Sequence, residues 1–88
     1  MAKTDHVIVG IHVRDRVHRA PDLQKTLTDH GCNIKTRLGL HEVSDDFCAA
    51  SGIILLEVVG DQAKIDQLLT ALKAFDEFDV DTMVFSHD

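Results

Sequence analysis

Aromatic side chains are nearly missing from this chain of 88 residues, which has four Phe and neither Trp nor Tyr. Proteins that grip single-stranded nucleic acid stack its bases on exposed aromatic faces, and so few Phe do not supply that platform. Positive charge is also short. Nine Lys and Arg stand against fifteen Asp and Glu, for a formal net charge of -6. The basic residues are scattered, apart from a loose group at Arg14, Arg16 and Arg19. A phosphate backbone is repelled by that balance, so direct nucleic-acid binding is not expected. No apolar run approaches the ~20 residues of a membrane span. Residues 1–5 lead straight into a strand-like run with no secretory pattern. The expectation is a cytoplasmic protein with no membrane segment, its two cysteines, Cys32 and Cys48, held reduced.

What is present is ordinary for one globular domain: 44% hydrophobic and 27% charged residues. A monomer of this length buries about two-thirds or less of its unfolded surface, so self-association is an expectation from the outset. Histidine is the unusual residue, with six copies at His6, His12, His18, His30, His41 and His87.

Val7, Val9, Ile11 and Val13 alternate with a mixed set over residues 6–14, which predicts a strand. Val17, Ala20, Leu23 and Leu27 then fall at helical spacing up to His30, with Gly31 as the stop. Pro21 fits only a first turn, so the regular helix is expected to begin near His18, or to have an irregular start. Residues 33–40 alternate again, with Ile34, Thr36, Leu38 and Leu40 expected on one face and Lys35, Arg37 and Gly39 on the other. A polar loop, 41–51, precedes a run at 52–59 that is apolar on both sides except at Glu57. Asp61 is a plausible N-cap for a second helix with the stripe Ile65, Leu68, Leu69, Leu72 and Phe75. Residues 78–85 close as a last strand.

The order β-α-β-β-α-β predicts an α+β, ferredoxin-like domain spanning the whole chain. Right-handed crossovers put both helices on one face of an antiparallel sheet of strand order 4-1-3-2. The other face is too apolar to meet water, since the third strand is apolar on both sides and the last carries Met83 and Phe85. An apolar face of this size marks an interaction surface, and a homodimer or higher homo-oligomer through it is the economical solution.

The same topology sorts the histidines to two ends of the sheet. One end gathers His6, His30, Cys32 and His87, a ligand set suited to zinc, nickel or another divalent transition metal. The other gathers Arg14, Asp15, His18, His41 and Cys48, with His12 nearby on the open face, and His41 with Cys48 is the alternative metal pair. No local pair has zinc-finger spacing, and surface histidines explain both groups equally. Cys48 as nucleophile with His41 as base would need an orienting third group, which does not stand out, and Asp45-Asp46 reads as a polar turn. The expectation is therefore a non-enzymatic domain.

The run V-I-V-G-I-H-V-R-D-R before the first helix, the strand T-R-L-G-L and the run S-G-I-I-L-L-E-V-V-G resemble the small iron-only hydrogenase system regulators. Those proteins are similar to ACT domains and to the ligand-binding domain of nickel-responsive repressors. The resemblance covers nearly the whole chain and is carried most specifically by Asp15-Arg16 and by Arg37-Leu38-Gly39. It implies a regulatory module binding a small effector where the first strand exits into the first helix, near a subunit interface. Arg14, Asp15, Arg16, Arg37 and His41 are the effector-binding candidates it implies, with Asp15 and Arg16 holding the ammonium and carboxylate of a zwitterion. Such a module would control a partner protein, or transcription indirectly.

Overall fold

A computed structural model of the chain describes residues 6–41 and 52–86. The first strand, β1 (His6–Val13), leads into helix α1 (Arg16–Asp29). A short 3-10 turn, Gly31–Asn33, then joins α1 to strand β2 (Ile34–His41). Strand β3 (Gly52–Val58), helix α2 (Gln62–Lys73) and strand β4 (Phe78–Phe85) complete the order. The four strands form one antiparallel sheet ordered β2-β3-β1-β4, as the element order predicts. The fold is α+β and ferredoxin-like.

Alternation in β1 decides which face is inside. Val7, Val9, Ile11 and Val13 are buried, while Ile8, Gly10 and His12 between them are only partly so. The buried set packs with Leu56 and Val58 of β3, Phe78 of β4, Leu23 and Leu27 of α1, and Ile65, Leu68 and Leu72 of α2. Fully burying one such side chain is worth about 1.5–3 kcal/mol, so this cluster is the main force holding helices to sheet. Leu69 and Phe75 join its rim. Ala20, expected in the α1 stripe, is exposed.

Two departures from the sequence pattern have local causes. Helix α1 begins at Arg16, not near His18, and takes Pro21 inside it. Pro21 lacks the N–H that would reach the carbonyl of residue 17, so one rung of the ladder is missing in the second turn. The other departure is in β2. Ile34 stands opposite Val58 and Thr36 opposite Glu57, so Lys35 is an extra residue, a β-bulge. A one-residue slip turns every following side chain to the other face. Ile34 therefore packs against the core. Thr36 and Leu38 turn to the open face, and Arg37 turns to the helix side, where its guanidinium donates to Gln24 Oε1 of α1 at 3.0 Å. The expected grouping of Ile34 with Thr36, Leu38 and Leu40 is thus corrected.

At the same end, Asn33 clamps the turn after β3. Its Nδ2 donates to the Val59 carbonyl at 2.9 Å, and the Val59 N–H donates back to the Asn33 carbonyl at 2.8 Å. Gly60 follows with φ 113°, a left-handed conformation that glycine alone adopts cheaply. A Cβ there would also overlap the Asn33 amide.

Candidate functional site

The exit of β1 brings charge together from both halves of the chain. Val13 stands opposite Phe78, so Arg14 lies beside the segment that links α2 to β4. The Arg14 backbone N–H donates to the Glu77 carbonyl at 2.9 Å, and its guanidinium donates to the Asp76 carbonyl. Arg14 Nε also lies 3.3 Å from Asp79 Oδ2. On the open face His12 is opposite Asp79, and its Nδ1 reaches the same carboxylate oxygen at 3.1 Å. Asp79 is thus shared by Arg14 and His12.

One turn away, Asp15 occupies the N-cap of α1, yet its side chain makes no capping bond. It turns to His18, whose Nδ1 lies 2.9 and 3.1 Å from the two carboxylate oxygens. That hydrogen bond holds the Asp15 carboxyl below its ordinary value. Arg19 bridges the two segments, with Nη1 donating to Asp22 Oδ2 at 2.9 Å and Nε 3.2 Å from Glu77 Oε1. Its guanidinium carbon lies 6.0 Å from the centroid of the Phe75 ring, within cation–π range. These bonds, to Asp22 above all, raise the Arg19 pKa. The result is a corner of alternating charge built from the β1 exit, the first turns of α1 and the entry to β4. The Arg14–Asp79 and Asp15–His18 pairs are exposed, and such pairs are each worth about 0–1 kcal/mol, while the Arg19 pairs are half-buried.

The expected effector residues divide in this frame. Arg14 and Asp15 are in the corner. Arg16 opens α1 directly beside them in the chain. His41 is opposite Gly52, which is opposite Val13, so the end of β2 lies in the same row of the sheet two strands away. Arg37 stands apart, opposite Leu56 in mid-sheet and engaged with Gln24. Asp79 and Glu77 were not singled out from sequence. Their signal lay in the antiparallel pairing of β1 with β4, which sets His12 against Asp79 once the register is known.

At the opposite end, His6 is the first residue of β1, and its Nδ1 lies 3.6 Å from Glu57 Oε2. His30 caps α1 with its backbone N–H donating to the Thr26 carbonyl at 3.2 Å, and Cys32 is exposed in the following turn. Among the described residues no three His, Cys, Asp or Glu side chains gather closely enough to hold a metal ion. His87 and Cys48, which completed the expected metal sets, lie outside the described residues, as do Asp45 and Asp46. No helix among the described residues is long and apolar enough to cross a membrane.

No family model matches the chain, and no curated protein matches it significantly. Solved structures do. An uncharacterized protein from Thermotoga maritima superimposes with a TM-score of 0.79 at 21% identity, covering 96% of this chain and 100% of the other. The apo form of CPII, a nitrogen regulatory PII-like protein from Thiomonas intermedia K12, gives 0.60 at 13% identity over 94% of this chain and 92% of that one. CPII bound to ADP, AMP and bicarbonate gives 0.53 at 13% identity, covering 97% and 100%. A de novo designed protein reaches 0.59 at 10% identity over 98% and 100%. Likeness at that level is therefore a statement about fold, and the fold it supports is the one described above.

Proposed function

We propose that this domain is a regulatory module that binds a small zwitterion at the charged corner between β1, α1 and β4. The observation that carries the reading is the mixed sign of that corner. Arg14 and Arg19 are interleaved with Asp15, Asp22, Glu77 and Asp79, and the pairs Arg14–Asp79 and His18–Asp15 are exposed while those of Arg19 are half-buried. Exposed pairs exchange readily for a ligand that offers both an ammonium and a carboxylate. A carboxylate would take Arg14 from Asp79, and an ammonium would take Asp15 from His18. A polyphosphate fits less well, because the carboxylates outnumber the guanidinium groups and phosphate recognition calls for the reverse.

Two further considerations support a regulatory role. CPII, a PII-like protein of the same fold, holds ADP, AMP and bicarbonate. The resemblance to iron-only hydrogenase system regulators and ACT domains points to effector-dependent control of a partner protein. The module is read as a binder and not a catalyst. Its open sheet face, with Leu38 and Ile53 exposed, is read as the surface covered by another copy of the chain.

A thermal-shift screen of amino acids, with AMP and ADP alongside, tests the reading. A zwitterion present at ~100 times its Kd stabilises the native state by about 2.7 kcal/mol. For a domain of this size that raises Tm by about 10 °C or more. The rise is expected to vanish in Arg14→Ala and in Asp15→Ala. No rise with any amino acid, or one that survives both substitutions, would overturn the proposal, and a rise with nucleotide alone would reassign the effector class.

A further inference from the structure

Two histidine–carboxylate pairs flank the charged corner, and each is tied to a group that a bound zwitterion would engage. His18 Nδ1 lies 2.9 and 3.1 Å from the two oxygens of Asp15, the group read above as taking an ammonium. His12 Nδ1 lies 3.1 Å from Asp79 Oδ2, and Arg14 Nε lies 3.3 Å from that same oxygen. Arg14 is the group read above as taking a carboxylate. The surroundings of the two rings are simple. His12 has Asp79 opposite it on β4 and the uncharged Ile53 opposite it on β3. Asp81, opposite Gly10, is the next residue of β4 on the same face. His6 and Glu57 stand at the far end of that face. Among the described residues the ionic contacts of His18 are with Asp15, and Asp22, further along α1, is engaged by Arg19. Glu77 is likewise held by Arg19, and Asp76 meets Arg14 through its backbone carbonyl.

Histidine is the side chain whose charge changes near neutral pH. An adjacent carboxylate favours its protonated form, and an adjacent cation disfavours it. In the structure Asp15 serves His18, while Asp79 is divided between His12 and Arg14. An ammonium on Asp15 would replace His18, which then loses both its partner and the reason to hold a proton. A carboxylate on Arg14 would have the reverse effect on His12. It neutralises the neighbouring cation and leaves Asp79 to the imidazole alone, so protonation of His12 is favoured. Asp81 acts on His12 equally before and after.

We propose that His18 and His12 form a proton-balanced couple: binding of a zwitterion at the corner releases a proton from His18 and takes one up at His12. The inference rests on the zwitterion reading of the site and adds its regulation. The released proton goes to solvent and the other comes from solvent, so the two offset one another and affinity stays nearly level across neutral pH. Charge moves all the same. It leaves the first turn of α1 and arrives on the open face of the sheet, in the row of Ile53. Occupancy of the corner therefore alters the surface read as a contact between copies. By linkage each histidine carries one half of the event: uptake makes binding tighter at low pH, and release makes it tighter at high pH.

Glycine and the other protein amino acids are the probes. Each one that raises Tm is titrated by calorimetry into the full-length wild type, His12→Gln and His18→Gln at about pH 5.5 and about pH 8, where a free amino acid keeps both charges. Glutamine can still donate to the carboxylate but carries no titrating proton. An exposed pair moves a histidine midpoint by about half a pH unit, so each half of the couple changes Kd by about three-fold. The wild-type Kd is expected to change by less than about two-fold between the two pH values. From the lower pH to the higher, Kd should weaken by about three-fold in His18→Gln and tighten by about three-fold in His12→Gln. In protein free of amino acid, an NMR titration of the His12 ring should place its midpoint about half a unit higher in Arg14→Gln than in the wild type. Variants whose Kd follows the wild type with pH, or a His12 midpoint that Arg14→Gln does not raise, overturn the couple and leave the site itself in place. Binding of no amino acid at either pH overturns the zwitterion reading and the couple together.

Discussion

Asp15 shows how one side chain is taken from a structural role and given to a neighbour. At a helix N-cap, a carboxylate usually accepts from the free backbone N–H groups of the first turn. Here it serves His18, and the pairing lowers its pKa below the ordinary value of 3.8. A carboxyl whose pKa is lower folded than unfolded adds stability above its unfolded value, and that contribution is lost as pH falls through the folded value. The wild type is therefore expected to be more stable than Asp15→Asn at pH 5, with the two converging as pH falls below about 4. Urea midpoints across that range check this, and parallel curves would show that the pair contributes nothing. The residue type and its place beside Arg14 were legible from sequence. Its partner was not, since Asp-x-x-His before a helix reads equally well as a cap followed by a surface histidine.

Elements were more legible than their ends. A period-two run of β-branched residues located β1, because burial on one sheet face demands that alternation, and a short run apolar on both sides located β3. Helix α1 was legible through Leu23 and Leu27, but its start was not. Proline argues against a helix interior, and here packing of the following turns outweighs the missing rung. Pro21 is exposed, so replacing it removes no buried contact. Pro21→Ala is expected to stabilise the domain by about 1 kcal/mol or more, since an interior proline costs about 3 kcal/mol and part of that returns as greater freedom of the unfolded chain. A Tm unchanged in thermal melts would mean that the turn is already fully accommodated. The β2 bulge left no sequence signal, as I-K-T-R-L alternates without a break, and the extra residue is visible only in its pairing with β3.

At the scale of the whole molecule, one face of the sheet is covered by helices and the other, among the described residues, is not. The uncovered face has apolar positions in every strand, from Leu38 through Ile53 and Ile8 to Met83. Its rim is polar, with Thr36, Glu57 and His6 at one end and His12 and Asp79 at the other. An apolar centre with a polar rim is the usual anatomy of an interface core. A charge at its middle is expected to disrupt packing of copies across it. Leu38→Lys, at a position already exposed in the monomer, should lower the association state in sedimentation while changing the stability of the monomer by no more than about 0.5 kcal/mol. An unchanged state would show that the face is not buried between copies. The strand order and the apolar face were both readable in advance, because topology follows from element order. The charged corner was only half readable, because its second half comes from the register between strands far apart in the chain.

The extra residue at Lys35 also governs how this chain should be compared with others. A related sequence that lacks the bulge is one residue shorter between Asn33 and His41. Laid against this one without a gap, it would match its helix-facing positions to Thr36 and Leu38, and its outward ones to Arg37. Every residue after the bulge in β2 would then be assigned to the wrong side of the sheet, and Arg37-Leu38-Gly39 would be equated with residues that do a different job.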